Sequence, residues 1–369
     1  MKNLLTVVFA AFALLVVPAV TMGQHPTDGI DDAIVQQLND PQEPGSVLVF
    51  PKFLRGTVQT ESGVQPRTEI EISIRCPKGQ ICNDAGTNVN LRAHWVCPSY
   101  NYFAPCLETD FNLNRTIHGT LYFNPDNVAS ASNFTVPAPP CDAGYLIVWA
   151  VNANGLPIKF DGLVGDAVIR EGPDSASAYN AIPIQAVSTV PTGGAISLGV
   201  GDSLAFDGRD GHYKALTGTV IGTVRYHRFP SANQGSVETS LTLLTLDVRS
   251  SAFNYPTFVN LRFWSPLENL LSTSTAFICW EDVKIVNINS NLTETFMGRK
   301  GLVESTGAFK IPIAGILDNP GPVTLLGLVG TIEFNIPHDN VVRGYMYSLY
   351  DDSTPVPTAF RPDVAFPLP

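Results

Sequence analysis

The sequence predicts an all-β protein with little helix, built as two antiparallel β-sandwich-like domains of the Ig-like or jelly-roll-like kind. Three observations predict it. Charged residues make up only 15% of the 369-residue chain, whereas glycine (30) and proline (29) are abundant, a composition that favours strands joined by turns. Segments such as "TEIEISIRC" alternate, with Ile70, Ile72 and Ile74 on one face and Glu69, Glu71 and Ser73 on the other, which is the period of a strand half buried against a core. Helical periodicity of useful length is absent, apart from a possible turn at "NLTETFMG".

The elements follow in order. Residues 1–23 combine Lys2, an apolar run from Leu4 to Val17 and a small-residue exit, the grammar of a secretory signal peptide that ends near Gly23. The run is shorter than the ~20 residues a spanning helix needs, so the expected mature chain is exported and does not span a membrane. Residues 24–45 are polar and proline-punctuated, a leader with at most one helical turn at "DDAIVQQL".

The N-terminal sandwich is expected over 46–190. Its strands are "SVLVFPKF", "TEIEISIRC", "VNLRAHWVC", "GTLYF", "YLIVWAV" and "IKFDGLVGDAVI". In "VNLRAHWVC" the alternation turns Val89, Leu91, Ala93, Trp95 and Cys97 inward and Asn90, Arg92 and His94 outward. Pro and Gly then accumulate without periodicity over 188–203, which places a linker near Val190. A C-terminal sandwich follows over 191–354, with "ALTGTVIGTVRYHRF", "ETSLTLLTLDV", "FVNLRFW", "TAFICWEDVKIVNI" and "TIEFNIP" as strands. The tail 355–369 holds five prolines and is expected to run extended over the surface instead of pairing in a central strand.

Charge narrows the function. Lys and Arg number 22 against 33 Asp and Glu, for a net charge of −11, and no basic cluster stands out in the sequence. Nucleic acid and anionic membrane are therefore poor partners. An unidentified protein or glycan is the expected partner, and no motif calls for a cofactor.

Six cysteines, Cys76, Cys82, Cys97, Cys106, Cys141 and Cys279, all follow the leader. An even count in an exported chain favours disulfides. Close Cys pairs of zinc spacing are lacking, and His94 stands at an odd offset from Cys97, so the two point to opposite strand faces. No metal site is expected. Six cysteines allow fifteen connectivities. Short-loop closure favours Cys76 with Cys82 and Cys97 with Cys106, which leaves Cys141 with Cys279 as a bridge between the halves.

Other motifs have bland readings beside the chemical ones. Gly201-Asp202-Ser203-Leu204 carries the letters of a family of serine esterases and lipases, in which Ser203 would be the nucleophile. The chain lacks the Asp-x-x-His pair and the alternating helices of that family, so a turn leading into a strand is the better expectation. "FDGRDGHY" offers Asp207, Asp210 and His212, but Arg209 stands where a calcium loop wants its second carboxylate. Two Asp-Gly pairs make it a turn. Asp161 with Asp166, or Glu281 with Asp282, could serve glycoside hydrolysis if brought to one cleft; otherwise they are solvated faces and turn caps. Sequons at Asn114, Asn133 and Asn291 matter only in a glycosylating host. Tyr100, Tyr102 and Phe103 lie between two prolines and form the candidate binding loop, able to stack on a sugar or anchor a partner, or else to complete the core.

The patterns "GSVLVFPKF", "HWVC" followed by Cys106 and "ETDF", "GYLIVWAVN" with "GLVGDAVI", and "FICWEDVKI" resemble a group of uncharacterised exported bacterial β-rich proteins. The resemblance spans most of the chain after the leader. It implies a secreted β-rich protein and brings no assigned activity or site. The expected function is an exported, non-catalytic structural or binding protein of the cell envelope or extracellular space, with a carbohydrate-binding or glycan-active protein as the alternative and the Ser203 esterase third.

Overall fold

Residues 47–54 read "VLVFPKFL" and residues 143–151 read "AGYLIVWAV", runs with almost no polar interruption, and both lie in the middle of one sheet. The computed structural model describes residues 37–82, 87–99, 105–128, 132–173, 175–199, 201–217, 220–228, 236–248, 256–298, 301–310, 322–323, 325–334, 345–347, 349–350, 355–356 and 358–360. Within them the chain is nearly all β, arranged as several antiparallel sheets. Two single-turn helices, Ile285–Ile288 and Glu294–Met297, complete it, the second within the expected "NLTETFMG" turn.

A central five-stranded sheet runs in the order Ile182–Ile184, Val47–Leu54, Ala143–Val151, Asn88–Val96, Glu108–Thr116, antiparallel throughout. One face carries Leu48, Phe50, Leu91, Ala93, Trp95 and Leu146. They pack on Ile70, Ile72, Leu121, Phe123 and Ile169 from a second sheet to form one core cluster. The layers approach closely where Gly165 crosses Phe50: a Cβ on Gly165 would lie 2.6 Å from the Phe50 ring, nearer than carbon atoms tolerate.

The opposite face of the same sheet is also covered. Val47, Val49, Ile147, Trp149 and Ile184 join Leu204, Phe206, Tyr213, Leu244, Trp280 and Phe360 in another core cluster. This is why "YLIVWAV" shows no polar alternation: a strand with apolar layers on both sides has no wet face. It also corrects the expectation for the outward face of "VNLRAHWVC". Arg92 is 7% exposed and His94 is 1% exposed, because this face of the sheet is also covered by a core cluster instead of water.

The second sheet is longer and joins strands from both halves of the chain. Its order is Tyr226–Arg228, Ser236–Thr245, Leu325–Phe334, Tyr345–Tyr347, Ser175–Asn180, Leu163–Gly172, Thr68–Ile74, Thr120–Phe123, with Trp280–Lys284 also paired to Ser236–Thr245. Tyr345 and Ala178 make its one parallel contact among the described residues. A third sheet, which includes Leu270–Phe277, Thr257–Trp264, Gly301–Lys310 and Val220–Val224, faces a further cluster around Leu241, Val259, Leu261, Phe263 and Ile285. Strands from both sides of Val190 thus share one sheet and one core, and Val190 itself is 7% exposed within that core. From Val35 onward the chain forms one compact unit.

The described residues of the tail depart from the expectation of a surface run. Thr358–Phe360 pairs antiparallel with Leu204–Phe206, Pro355–Val356 pairs with Leu216–Thr217, and Phe360 is fully buried. Short strands between prolines can still form a two-stranded ladder, and the apolar ring supplies the driving force. The end of the leader is docked too. Gln185 donates to the Asp40 and Glu43 carbonyls at 2.7 and 2.9 Å and accepts from the Asp40 amide, while Leu38 bridges Ala215.

Candidate functional site

All six cysteines are paired: Cys76 with Cys82, Cys97 with Cys141, and Cys106 with Cys279, at Cα separations of 5.8, 5.8 and 6.4 Å. The first agrees with short-loop closure. The other two replace the expected Cys97–Cys106 and Cys141–Cys279 pairs, and strand parity gives the reason. Val96 lies opposite Glu108, and the Cys97 amide donates to the Leu107 carbonyl at 2.9 Å. Cys97 therefore shares its face with Leu107, and Cys106 belongs to the other face. Cys141 packs against the core on the Trp95 side, whereas Cys106 and Cys279 belong to the core on the Trp149 side. The segment from Cys97 to Cys106 is consequently tied at one end to each layer. Tyr100, Tyr102 and Phe103 lie outside the described residues.

Beside the start of this segment is a cavity of about 320 Å³, lined by Pro98 and Ser99 and by Phe277, Ile278 and Trp280. Glu281 and Asp282 complete it. The chain passes here from the third sheet to the second, turning at Cys279 with φ 66°, a left-handed conformation uncommon for a side chain with a Cβ. The Trp280 indole is only 8% exposed and donates its N–H to the Pro51 carbonyl at 2.7 Å. It is a pinned wall, not an open stacking platform.

The two acidic residues have different surroundings. Asp282 accepts from Lys52 Nζ at 2.7 Å and from Thr242 Oγ1 at 2.9 Å. Lys52 has 4% of its side chain exposed and also stands 3.8 Å from Glu171. Such a buried ammonium is held by its carboxylates. Burial raises the pKa of Glu281, and the neighbouring charge of Asp282 adds to this. Glu281 Oε2 is buried with no hydrogen-bond partner among the described residues. The cavity thus offers one uncommitted carboxyl oxygen beside a neutralised ion pair. Being consecutive on a strand, the two side chains leave it on opposite faces, which disfavours clamping a scissile bond from two sides as paired hydrolytic carboxyls do.

The other candidate pair is divided between two cavities. Asp161 accepts from Ser46 Oγ at 2.6 Å and the Ala186 amide at 2.9 Å and lines a cavity of about 360 Å³. Asp166, whose pKa burial raises, lines a neighbouring one of about 410 Å³.

Ser203 is 1% exposed, and a Cβ added to Gly199 would meet its hydroxyl at 2.7 Å. Gly201 and Asp202 both have positive φ, and the Gly199 amide donates to the Ser203 carbonyl at 2.8 Å, closing a tight hairpin before Leu204–Phe206. No hydrogen bond joins Ser203 to a histidine among the described residues. Asp207 accepts from the Arg209 amide at 3.1 Å and lies 2.8 Å from His212 Nδ1, with Gly208 and Gly211 at φ 72° and 83°. These are turn contacts. Among the described residues no group of three or more His, Cys, Asp or Glu is placed to hold a metal.

One buried polar group escaped sequence reasoning. His94 stacks on Trp149 at 5.0 Å, its Nδ1 lies 3.2 Å from Glu108 Oε2, and Tyr145 nearby has its pKa raised by burial and then by Glu108. The sequence signal was the apolar run of the neighbouring strand, which implies that no face of this sheet is wet.

Three disulfides are compatible with an extracellular or periplasmic location, and among the described residues no helix is long and apolar enough to cross a membrane. No protein-family model matches the chain, and no curated protein matches it.

Proposed function

We infer that the protein is exported and acts as a non-catalytic binding module of the cell envelope or extracellular space, recognising its partner with the segment between Cys97 and Cys106 and the adjoining cavity at Ser99, Trp280 and Glu281. The observation that carries this reading is the double anchoring of that segment, one disulfide to each layer. A recognition loop whose ends are fixed loses less conformational entropy on binding. Its sequence is rich in rings, with Tyr100, Tyr102 and Phe103 as the contacts of this proposal.

A glycan is the second reading for the partner. Glu281 favours it, since its Oε2, buried with no hydrogen-bond partner among the described residues, is suited to a sugar hydroxyl.

The test is binding of the purified, oxidised chain to arrayed envelope glycans and envelope proteins, beside the Y100A/Y102A/F103A and E281Q variants. The expected result is saturable binding that the triple variant loses while its thermal midpoint is kept. A collapsed midpoint with binding intact would assign those rings to the core instead. Turnover of a captured oligosaccharide would make the protein an enzyme.

A further inference from the structure

The cavity of about 360 Å³ at the end of the Thr68–Ile74 strand is lined by Arg75, Lys78, Lys159 and Lys214 against Glu43 and Asp161. Four of the chain's 22 Lys and Arg therefore converge on one hollow of a protein with net charge −11. Two of the four are already committed. Lys159 donates to the Val187 carbonyl at 3.0 Å and lies 3.7 Å from Asp161, and Lys78 pairs with Glu43 at 3.5 Å in a largely exposed contact. Asp161 is further occupied by Ser46 and the Ala186 amide. Among the described residues, neither Arg75 nor Lys214 has a carboxylate within ion-pair distance.

The backbone presents these two cations firmly. Lys214 lies between Tyr213 and Ala215, both fully buried, so strand alternation turns its side chain away from the core. Its amide is held by the Gln185 carbonyl at 2.8 Å, and the Arg75 amide is held by the Gly162 carbonyl at 2.9 Å. Gln185 shapes the adjoining wall and has its amide committed to Asp40 and Glu43, while Thr192 also lines the hollow.

We propose that this cavity is a binding site for a small organic anion, with the ligand's carboxylate or phosphate held between Arg75 and Lys214. A guanidinium and an ammonium without carboxylate partners supply charge-assisted donors for an oxyanion. The volume falls within the range of small-molecule pockets and leaves room for a body the size of a sugar ring beyond the anionic group. The site is separate from the cavity at Trp280 and does not depend on that reading.

Isothermal titration of the oxidised chain with glucuronate, glucose 6-phosphate, inorganic phosphate and glucose tests it. Glucuronate or glucose 6-phosphate should bind at one site per chain, glucose should not, and 0.5 M NaCl should weaken binding by screening. R75Q and K214Q should each lower the affinity about tenfold, the effect of losing one charge-assisted contact. Arg75→Lys should recover part of it, and R115Q, at an exposed position that does not line the cavity, should leave it unchanged. Both key side chains project away from the core, so thermal midpoints should hold and report that the variants fold. Absence of binding by every anion, equal affinity in R75Q/K214Q, or equal binding of glucose would overturn the proposal. Inorganic phosphate binding as tightly as both sugar anions would overturn the organic ligand.

Discussion

The ring of Phe360 stands edge-on to the imidazole of His94 at 5.7 Å, interplanar angle 82°, and edge-on to Trp149 at 6.0 Å. A residue from a proline-rich tail thereby seals the sheet face that carries His94 and Trp149, both more than 200 residues earlier in the chain. Phe360 is expected to act as a plug: Phe360→Ala should destabilise the fold by about 3–5 kcal/mol, as for other fully buried rings. Urea denaturation of the variant checks this, and a loss below 1 kcal/mol would mean that the tail only lies on the surface.

The bridges should differ in weight. Cys106–Cys279 closes a separation of 173 residues and Cys76–Cys82 one of 6. Chain entropy then predicts losses of about 5 and about 2 kcal/mol on replacing each pair by serine. Non-reducing peptide mapping should recover Cys97–Cys141 and Cys106–Cys279, and recovery of Cys97–Cys106 would refute the face assignment.

Lys52 holds Asp282 and, more distantly, Glu171 from a position with 4% of its side chain exposed. Lys52→Ala should cost roughly 3 kcal/mol, because it strands partly buried carboxylates without a counter-charge. Glu171→Gln should cost less, since its contact is the longer one. A double-mutant cycle of Lys52 with Asp282 measures the coupling, and additive single effects would exclude it.

Glu281 should make stability fall with rising pH. Its folded pKa is raised above the ordinary value of 4.5, chiefly by burial. The folded state therefore binds this proton more tightly than the unfolded state, and the stabilisation is complete below about pH 4.5 and is lost as pH rises through the folded pKa. Glu281→Gln should remove that slope and make the protein relatively more stable at pH 7 than at pH 4. Unfolding free energies of both proteins across pH 4 to 8 decide it, and parallel curves would count against the assignment.

Ser203 should be structural. Its replacement by alanine is expected to leave any hydrolysis of a chromogenic ester at background and unchanged, since the hydroxyl is 1% exposed against Gly199. A serine-dependent rate would restore the esterase reading.

Much of the fold was legible along the chain. "TEIEISI" announced a strand by alternation, Gly-Asp and Asp-Gly pairs announced turns that the backbone makes at positive φ, and the Cys76–Cys82 pair was readable from a short loop with a Pro and a Gly. "VLVF" and "YLIVWAV" were readable as strands, but their unbroken apolar character also implied cover on both faces, and that inference would have placed His94 inside. The candidate cavity was less legible. Glu281 and Asp282 could be singled out, yet nothing local tells that Lys52, 230 positions away, neutralises one of them.

Local chemistry by itself determined the class of secondary structure, the turns and the expectation that the thiols pair, because alternation, backbone freedom and cysteine parity act over a few residues. Only the tertiary structure decided how the other four cysteines pair, that strands on both sides of Val190 share a sheet and a core, that the tail inserts Phe360, and that Arg75 and Lys214 face one hollow. Those outcomes depend on register and layer stacking, where a shift of one residue exchanges the two faces of a strand, and register is set by the sum of many distant contacts instead of any short motif.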